Sequence, residues 1–205
     1  PLIASGEEII ALDARVVLHD QATSLDSIPP SAIRPYPKQY IEEVSLKSGS
    51  LVRLRPIRPE DEAMIVAFHK DLSENSVRQR YFSFLSLDKR IAHERLVKIC
   101  FNDFDQEIAI VAETLSEKKE IVGVGRLSRA GTLKEGKLTL IIKDAWHGQG
   151  LGALLVARLI DIGKKEGWQT VAADVLEENS GMLHILKKNG FQVKNAGTSP
   201  VKTLV

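Results

Sequence analysis

The stretch "IIKDAWHGQGLGALLVARLIDIG" (residues 141–163) decides the fold of this chain. An apolar run precedes a short turn that carries Gly148, Gly150 and Gly152, and apolar residues at helical spacing follow. This pattern predicts a strand, a glycine turn and an amphipathic helix. Unpaired N–H groups at a helix N-terminus attract anions, and glycine lets phosphate oxygens approach closely. The spacing fits neither a Walker loop nor a Rossmann fingerprint, so an anion pocket and a plain glycine-capped corner both stay open.

The composition narrows the class of protein. The 205 residues contain 28 Lys and Arg against 27 Asp and Glu, a net charge of +1, which gives no overall field for nucleic acid or an anionic membrane. The single cysteine, Cys100, excludes an internal disulfide framework and fits a reduced, cytoplasmic setting. No apolar run approaches the roughly 20 residues of a membrane helix. No His, Cys or acidic residues stand at metal-ligand spacing, so we expect no metal site.

The chain divides into three predicted segments. Two β-like runs, Ile9–Leu12 and Arg15–Leu18, predict a hairpin within residues 1–20. Residues 21–39 are rich in proline and serine and predict a linker. Residues 40–205 predict an α/β domain: two strands, helices that include one over "DKRIAHERLVKIC", three antiparallel strands, then strands alternating with two helices.

The turn "HGQGLG" resembles the phosphate-binding turn of the GNAT family of N-acetyltransferases. The family pattern is Gln or Arg, two residues, Gly, any residue, then Gly or Ala; Gly150 and Gly152 match it, and His147 departs from it. The segments "VLEENSGML" and "KKNGF" stand at similar spacing. The resemblance implies the GNAT acyl-CoA N-acyltransferase fold, a mixed central sheet that splays after its fourth strand, with helices on both faces.

The same resemblance implies acetyl-CoA as cosubstrate. The strand end would pair through its backbone with the pantetheine arm and help polarise the thioester carbonyl, and the turn would present N–H groups to the pyrophosphate. An asparagine at the start of the last helix would contact the cofactor arm. The positions assigned in this way are Ile141, Ile142, Lys143, His147, Gly148, Gln149, Gly150, Leu151, Gly152 and Asn179.

A narrower resemblance covers more of the chain. "RPYPKQYIEE" and "FDQEIAIVAET" are similar to the C-terminal domain of bacterial protein acetyltransferases fused to an NDP-forming acyl-CoA-synthetase-like region. Residues 1–20 resemble the last strands of the ATP-grasp part of that region, so we expect an upstream domain in a longer parent chain. This resemblance implies a protein lysine as acceptor, attacked directly in a ternary complex.

The catalytic base is the residue that the sequence pattern identifies least clearly. A lysine ammonium, with a pKa of about 10.4, must lose a proton before it attacks, and a carboxylate usually accepts it. The family's glutamate position falls on Lys137, whose charge would repel an incoming lysine. Glu135 lies two residues earlier, about 6.6–6.8 Å along the same strand face, and is the candidate catalytic base. A plain surface ion pair is the alternative role for Glu135, and Glu107 and Glu113 are further candidates.

Two other functions stay open at this stage. Lys137 in place of an acid is consistent with a regulatory module that binds acyl-CoA without transferring the acyl group. A small-molecule amine acetyltransferase would need an acid-lined acceptor cleft. The tyrosine that many GNAT enzymes use as an acid is replaced by Leu186, and Arg80 is interpreted as part of a helix face or as a contact to the 3′-phosphate of the nucleotide.

Overall fold

The computed structural model describes residues 2–6, 8–14, 18, 20, 22–24, 34–130, 135–195 and 201–204. The chain forms two compact units, Pro1–Ala32 and Ile33–Val205. In the first unit, strands β1 (Leu2–Ser5) and β2 (Glu8–Ala11) pair in an antiparallel hairpin. The second unit contains the α/β domain.

The second unit is built on one eight-stranded mixed sheet of order β3-β4-β5-β6-β7-β8-β10-β9. Its strands are β3 (Glu42–Ser45), β4 (Leu51–Pro56), β5 (Glu107–Thr114), β6 (Ile121–Arg129), β7 (Glu135–Ile142), β8 (Thr170–Leu176), β9 (Val193–Asn195) and β10 (Val201–Leu204). All neighbouring pairs are antiparallel except β7 and β8. The predicted antiparallel trio of strands is confirmed as β5, β6 and β7.

The parallel pair β7 and β8 opens along its length. The register joins Glu135, Gly136 and Lys137 to residues 170–172 and then stops, although both strands continue. We call the opening between residues 138–142 of β7 and residues 173–176 of β8 the gap. The splayed sheet that the family resemblance predicts is therefore present, after the fifth strand when the edge strand β3 is counted.

Helices cover both faces of the sheet, as predicted. They are α1 (Glu62–Lys70), α2 (Glu74–Tyr81), α3 (Leu87–Ile91), α4 (His93–Cys100), α5 (Leu151–Lys165) and α6 (Ser180–Lys188). Two apolar clusters show the layers: one joins α5 and α6 to the sheet, and the other joins α1, α2 and α4 to its opposite face. Helix α5 buries Leu151, Leu155, Leu159 and Ile162, a stripe at i, i+4 and i+3 spacing that faces the sheet.

Helix α5 packs tightly against the sheet because glycine stands beneath it. A Cβ on Gly125 of β6 would lie 2.8 Å from Leu159 Cδ1, so a larger residue there would force the helix away from the strand. The start of α5 is thereby held beside the end of β7, which brings the glycine turn to the gap.

Three sequence predictions are corrected. The hairpin pairs β1 with β2, not Ile9–Leu12 with the next run, whose residues 15–17 lie outside the described residues; Gly6, with φ 27°, turns the chain after β1. The segment predicted as one helix is α3 and α4, because Ala92 is extended. Residues 34–39, predicted as linker, belong to the second unit, where the Tyr36 hydroxyl donates to the Pro56 carbonyl at 2.7 Å.

Candidate active site

The gap exposes backbone donors of β7. The N–H of Lys143 donates to the Val122 carbonyl at 2.9 Å, and the ladder with β6 is antiparallel. Successive residues of such a strand direct their N–H groups to alternate sides, so those of Leu140 and Ile142 point away from β6, into the gap. A carbonyl oxygen placed in the gap could accept a hydrogen bond from either one.

This geometry refines the predicted role of the strand end. Of the three residues assigned to the pantetheine arm, Ile142 directs its N–H into the gap, whereas the N–H groups of Ile141 and Lys143 face β6. The buried Lys143 ammonium lies 2.7 Å from Asp71 and 3.3 Å from Glu120. Leu140, which the motif did not indicate, presents a second N–H beside that of Ile142.

The glycine turn ends at the N-terminus of α5. Gly148 and Gly150 have φ of 73° and 91°, a conformation that a Cβ atom disfavours, and Gly150 is the N-cap residue. The first intrahelical bond runs from the Leu154 N–H to the Gly150 carbonyl. The N–H groups of Leu151, Gly152 and Ala153 therefore have no acceptor within the helix, and they form a donor set suited to phosphate.

A lysine from a distant turn lies over these donors. A Cβ on Gly150 would lie 3.5 Å from Lys47 Cγ and 3.7 Å from its Cε, so the lysine stem covers the turn. The Lys47 N–H also donates to the Gln149 carbonyl at 3.3 Å. Lys47 follows β3, about a hundred residues before the glycine turn, so no local pattern in the sequence could have paired the two. Its ammonium would add a positive charge to an anion bound at these backbone donors.

His147 and Gln149 brace the turn. The His147 Nε2 forms a hydrogen bond with the Ile142 carbonyl at 3.0 Å, which ties the turn to the end of β7. The Gln149 side chain donates to the Ala145 carbonyl at 2.9 Å and accepts from the Ser48 hydroxyl at 2.8 Å. Their side chains therefore fix the backbone that carries the donors, and His147 retains Nδ1 for a further contact.

Asn179 is the N-cap residue of α6. Its Oδ1 accepts from the Met182 N–H at 3.0 Å, a standard cap bond. That bond uses the amide oxygen and leaves the Nδ2 donor for another partner. Helix α6 packs on α5, where Ile185 contacts the position that a Gly152 Cβ would occupy, at 3.1 Å. The residues predicted from the glycine turn and from the last helix are thus on neighbouring elements.

The predicted carboxylates occupy different environments. Glu135 is exposed at the first residue of β7, beside the closed end of the gap. Lys137, two residues on, pairs with Asp174 of β8 at 2.6 Å, a partner that the sequence did not reveal. Glu113 is buried against Arg55, and Glu107 pairs with Arg126 at 2.5 Å. Glu107 and Glu113 are thus engaged in ion pairs, Asp174 is paired with Lys137 at the edge of the gap, and Glu135 is an exposed carboxylate at the start of β7.

Asp144 attaches helix α2 to the end of β7. Its carboxylate accepts hydrogen bonds from the Ser73 N–H and hydroxyl and from the Ser76 hydroxyl, at 2.6–3.0 Å. Burial opposes ionisation, but these hydrogen bonds, together with His147, hold the pKa of Asp144 below its usual value. The ionised carboxylate thus attaches Ser73, the N-cap residue of α2, to the end of β7.

The sequence comparison decides the family. The model of the acetyltransferase (GNAT) domain matches residues 52–192, which include the gap and the glycine turn. This chain belongs to the GNAT acetyltransferase family. It is 30% identical over 149 residues to acetyltransferase PA5475 of Pseudomonas aeruginosa, an alignment that covers 72% of this chain and 78% of the relative.

Solved GNAT structures share the fold. The GNAT domain of S. lividans PAT superposes with a TM-score of 0.75 at 23% identity and covers 83% of this chain and 98% of its own. Mycobacterium smegmatis RimJ, solved in complex with CoA-disulfide, superposes with a TM-score of 0.62 at 16% identity, covering 80% of this chain and 84% of its own. The GNAT fold predicted from the sequence is confirmed.

Family membership makes this chain an acyltransferase enzyme that uses acetyl-CoA. The donors of the gap and of the α5 N-terminus fit such a ligand, since one set suits a carbonyl and the other a pyrophosphate. No helix in the described part of the chain is long and apolar enough to cross a membrane. Among the same residues, no group of three or more His, Cys, Asp and Glu side chains could hold a metal ion.

Proposed function

We propose that this GNAT enzyme acetylates a lysine side chain of a protein, such as an acyl-CoA synthetase. The observation that carries the proposal is the gap, where the N–H groups of Leu140 and Ile142 point to one space beside the glycine turn. The choice of a protein acceptor is supported by the resemblance of the flanking segments to bacterial protein acetyltransferases. That resemblance also supports an upstream acyl-CoA-synthetase-like domain as the neighbour of residues 1–20.

In this proposal each residue of the site has a role that follows from its position. Acetyl-CoA supplies an activated acyl group with an electrophilic thioester carbon. The N–H groups of Leu140 and Ile142 would hold the thioester carbonyl and stabilise the negative charge that develops on its oxygen. The N–H groups of Leu151, Gly152 and Ala153 would hold the pyrophosphate, with Gly150 as the N-cap residue that lets it approach, and Asn179 Nδ2 would hold the pantetheine arm. His147, Gly148 and Gln149 would shape the turn.

The amine attacks the thioester directly in this proposal. The one thiol of the chain, Cys100, is 1% exposed, and burial raises its pKa to about 11. Because the thiolate is the nucleophilic form, such a cysteine cannot carry the acyl group at neutral pH. The acceptor amine therefore needs a base rather than an enzyme nucleophile.

Glu135 is the proposed base; it lies five residues from Leu140 along β7, about 16 Å, so in this proposal a chain of water molecules carries the proton to it. Asp174 is its competitor, because its carboxylate lies one strand away and 2.6 Å from Lys137 Nζ. In this proposal the ion pair gives Lys137 a role, which is to hold the Asp174 carboxylate at the edge of the gap. An exposed glutamate with access to solvent can pass a proton to bulk water after each turnover.

The test is acetyl transfer to intact proteins, followed by mass spectrometry of modified lysines. The wild-type enzyme should acetylate a single lysine of an acyl-CoA synthetase in the presence of acetyl-CoA. Glu135→Gln should lower kcat about 100-fold or more, whereas Glu117→Gln, an exposed glutamate in the β5–β6 turn, should leave it unchanged. Equal rates for both variants would transfer the role to Asp174, to be tested as Asp174→Asn.

The same assay decides the acceptor class. Acetylation of polyamines or aminoglycosides, with none on protein lysines, would contradict the protein acceptor and identify a small-molecule amine acetyltransferase. Modification of protein lysines that ceases when the acceptor protein is unfolded would support recognition of a folded surface.

Lys47 is expected to strengthen acetyl-CoA binding. Lys47→Ala should raise the Kd for acetyl-CoA by roughly three- to tenfold, because one solvated phosphate contact is lost while the backbone donors stay. Lys118→Ala is the control, since that side chain is 90% exposed in the β5–β6 turn. The difference between the two variants should shrink at high salt.

A further inference from the structure

A small cavity lies beneath β7 on the face covered by α1, α2 and α4. Its volume is about 80 Å³, more than one water molecule needs. Its polar lining is drawn from both helices and strands: His69, Arg80, Tyr81, Arg95, Arg126 and Thr139. Every charged side chain in that lining is basic among the described residues, so the cavity is a concentration of positive charge inside a nearly neutral protein.

The arginines of this cavity are incompletely paired. Arg126 forms an ion pair with Glu107 at 2.5 Å. Arg80 instead donates to the Thr139 hydroxyl at 3.0 Å, and the guanidinium groups of Arg80 and Arg95 lie 5.0 and 5.3 Å from the Tyr81 ring centroid. Within the described part of the chain, neither Arg80 nor Arg95 has a carboxylate partner.

Polar atoms of the cavity side chains are also left without hydrogen-bond partners. His69 is 4% exposed, and its Nδ1 has no hydrogen-bond partner among the described residues; the same holds for Arg95 Nε. Burial lowers the pKa of Arg80, and the charges of Arg126 and Arg95 act in the same direction. Leaving buried polar groups unsatisfied is unfavourable, and such arrangements concentrate at ligand sites.

The cavity adjoins the gap through one strand. Thr139 and Ile141 line the cavity, and Leu140 between them directs its N–H into the gap. A group that enters the cavity is therefore next to the place where the thioester carbonyl is proposed to lie.

We propose that the cavity of His69, Arg80 and Arg95 binds a carboxylate of the substrate, carried either by the acyl chain of the donor or by the acceptor near its reacting amine. The inference rests on the proposed function. Guanidinium groups match a carboxylate in geometry and charge, and His69 supplies a third donor in the tautomer that carries the proton on Nδ1. A site built for a hydrogen-bonded anion discriminates against ligands that lack it, because its donors are then left unpaired.

The donor arm of the test compares acyl-CoA affinities by calorimetry. If the acyl chain carries the carboxylate, malonyl-CoA or succinyl-CoA should bind at least tenfold more tightly than butyryl-CoA, a neutral chain of similar length. Acetyl-CoA is titrated alongside, so that a failure to bind acetyl-CoA contradicts the proposed function independently of any preference.

The acceptor arm uses the enzyme saturated with CoA. It is titrated with two lysine peptides that differ only in a glutamate or glutamine beside the lysine. If the acceptor carries the carboxylate, the glutamate peptide should bind at least tenfold more tightly. Binding is measured in both arms, so neither arm depends on turnover.

Variants connect either preference to the cavity. The double substitution Arg80→Gln with Arg95→Gln should remove the preference, whereas Arg58→Gln should keep it; Arg58 also stacks on a tyrosine, at 5.1 Å from the Tyr36 ring, but lies outside the cavity. Thr139→Asp would place a carboxylate beside Arg80 and should remove the preference without loss of folding, even if the double variant is unstable. No preference in either arm, or a preference that survives these substitutions, overturns the proposal.

Discussion

Two groups of charged side chains on the sheet face covered by α1, α2 and α4 differ in how their charges are balanced. On β4 and β5, Arg55 pairs with Asp61 at 2.7 and 2.8 Å and with Glu113 at 2.9 Å, and each residue is at most 4% exposed. Under β7, Arg80 and Arg95 have no carboxylate partner within the described residues. In the first group the arginine donors are paired with carboxylates of the same group. In the second group, donors are left that a ligand could use.

The balanced group also shows what pairing does to ionisation. Burial alone would lower the pKa of Arg55, but the hydrogen bonds to Asp61 and Glu113 outweigh it and raise the pKa above its usual value. In the cavity, by contrast, burial lowers the pKa values of Arg80 and His69. Burial by itself therefore does not distinguish the two groups; the presence or absence of a counter-charge does.

The largest expected effect on the free energy of unfolding comes from removing the cation of the group formed by Arg55, Asp61 and Glu113. Arg55→Met leaves two buried carboxylates without their cation and should lower the free energy of unfolding by about 3–5 kcal/mol. Arg53→Met, on the same strand with a side chain that is 32% exposed, should cost about 1 kcal/mol or less. Both are measured by urea unfolding, and equal losses would mean that the Arg55 network is not the stabilising feature.

The second expected effect is a change in the free energy of unfolding with pH, which arises from His69 in the cavity under β7. Burial, with the charges of Arg90, Arg95 and Arg80, lowers the pKa of His69 from 6.5 to about 4. The unfolded chain therefore binds a proton more readily, so this contribution to stability is complete above pH 6.5 and is lost as pH falls toward 4, by about 3 kcal/mol in all.

The measurement is the free energy of unfolding between pH 7.5 and pH 4.5. His69→Leu should show a flatter profile than the wild type over this window, because the titrating ring is gone. Superimposable profiles would mean that His69 is free to protonate in the folded state.

The smallest effect on stability is expected for the arginines under β7, which have no carboxylate partner within the described residues. Arg95→Met removes a cation that has no carboxylate partner in the described chain, so the free energy of unfolding should change by about 1 kcal/mol or less, in either direction. A loss as large as that of Arg55→Met would show that Arg95 has a structural role, and the contrast between the two groups would disappear.

Much of the fold could be predicted from the sequence because its signals are local. The glycine turn, the apolar stripe of α5 and the start of the last helix each depend on residues a few positions apart. A motif made of backbone N–H groups leaves such a signature, since glycine is required where the backbone turns, as at Gly150 with φ 91°.

The side-chain parts of the site could not be predicted in the same way. Lys47 meets Gly150, Lys137 meets Asp174, and the cavity joins α1, α2, α4, β6 and β7. Each contact spans distant positions, and no periodicity encodes it. The sequence therefore drew attention to Lys137 as a departure from the family, while its carboxylate partner became visible only once β8 lay beside β7.

The most direct test of the donor site is a calorimetric titration with acetyl-CoA. The wild-type enzyme should bind saturably, and Gly150→Asp should weaken binding at least 100-fold by placing bulk and negative charge at the pyrophosphate position. Gly167→Asp is the matched control, because Gly167 also has positive φ, 73°, but follows the opposite end of α5. Binding that survives Gly150→Asp, or that Gly167→Asp weakens equally, would contradict the assignment of the glycine turn to the pyrophosphate.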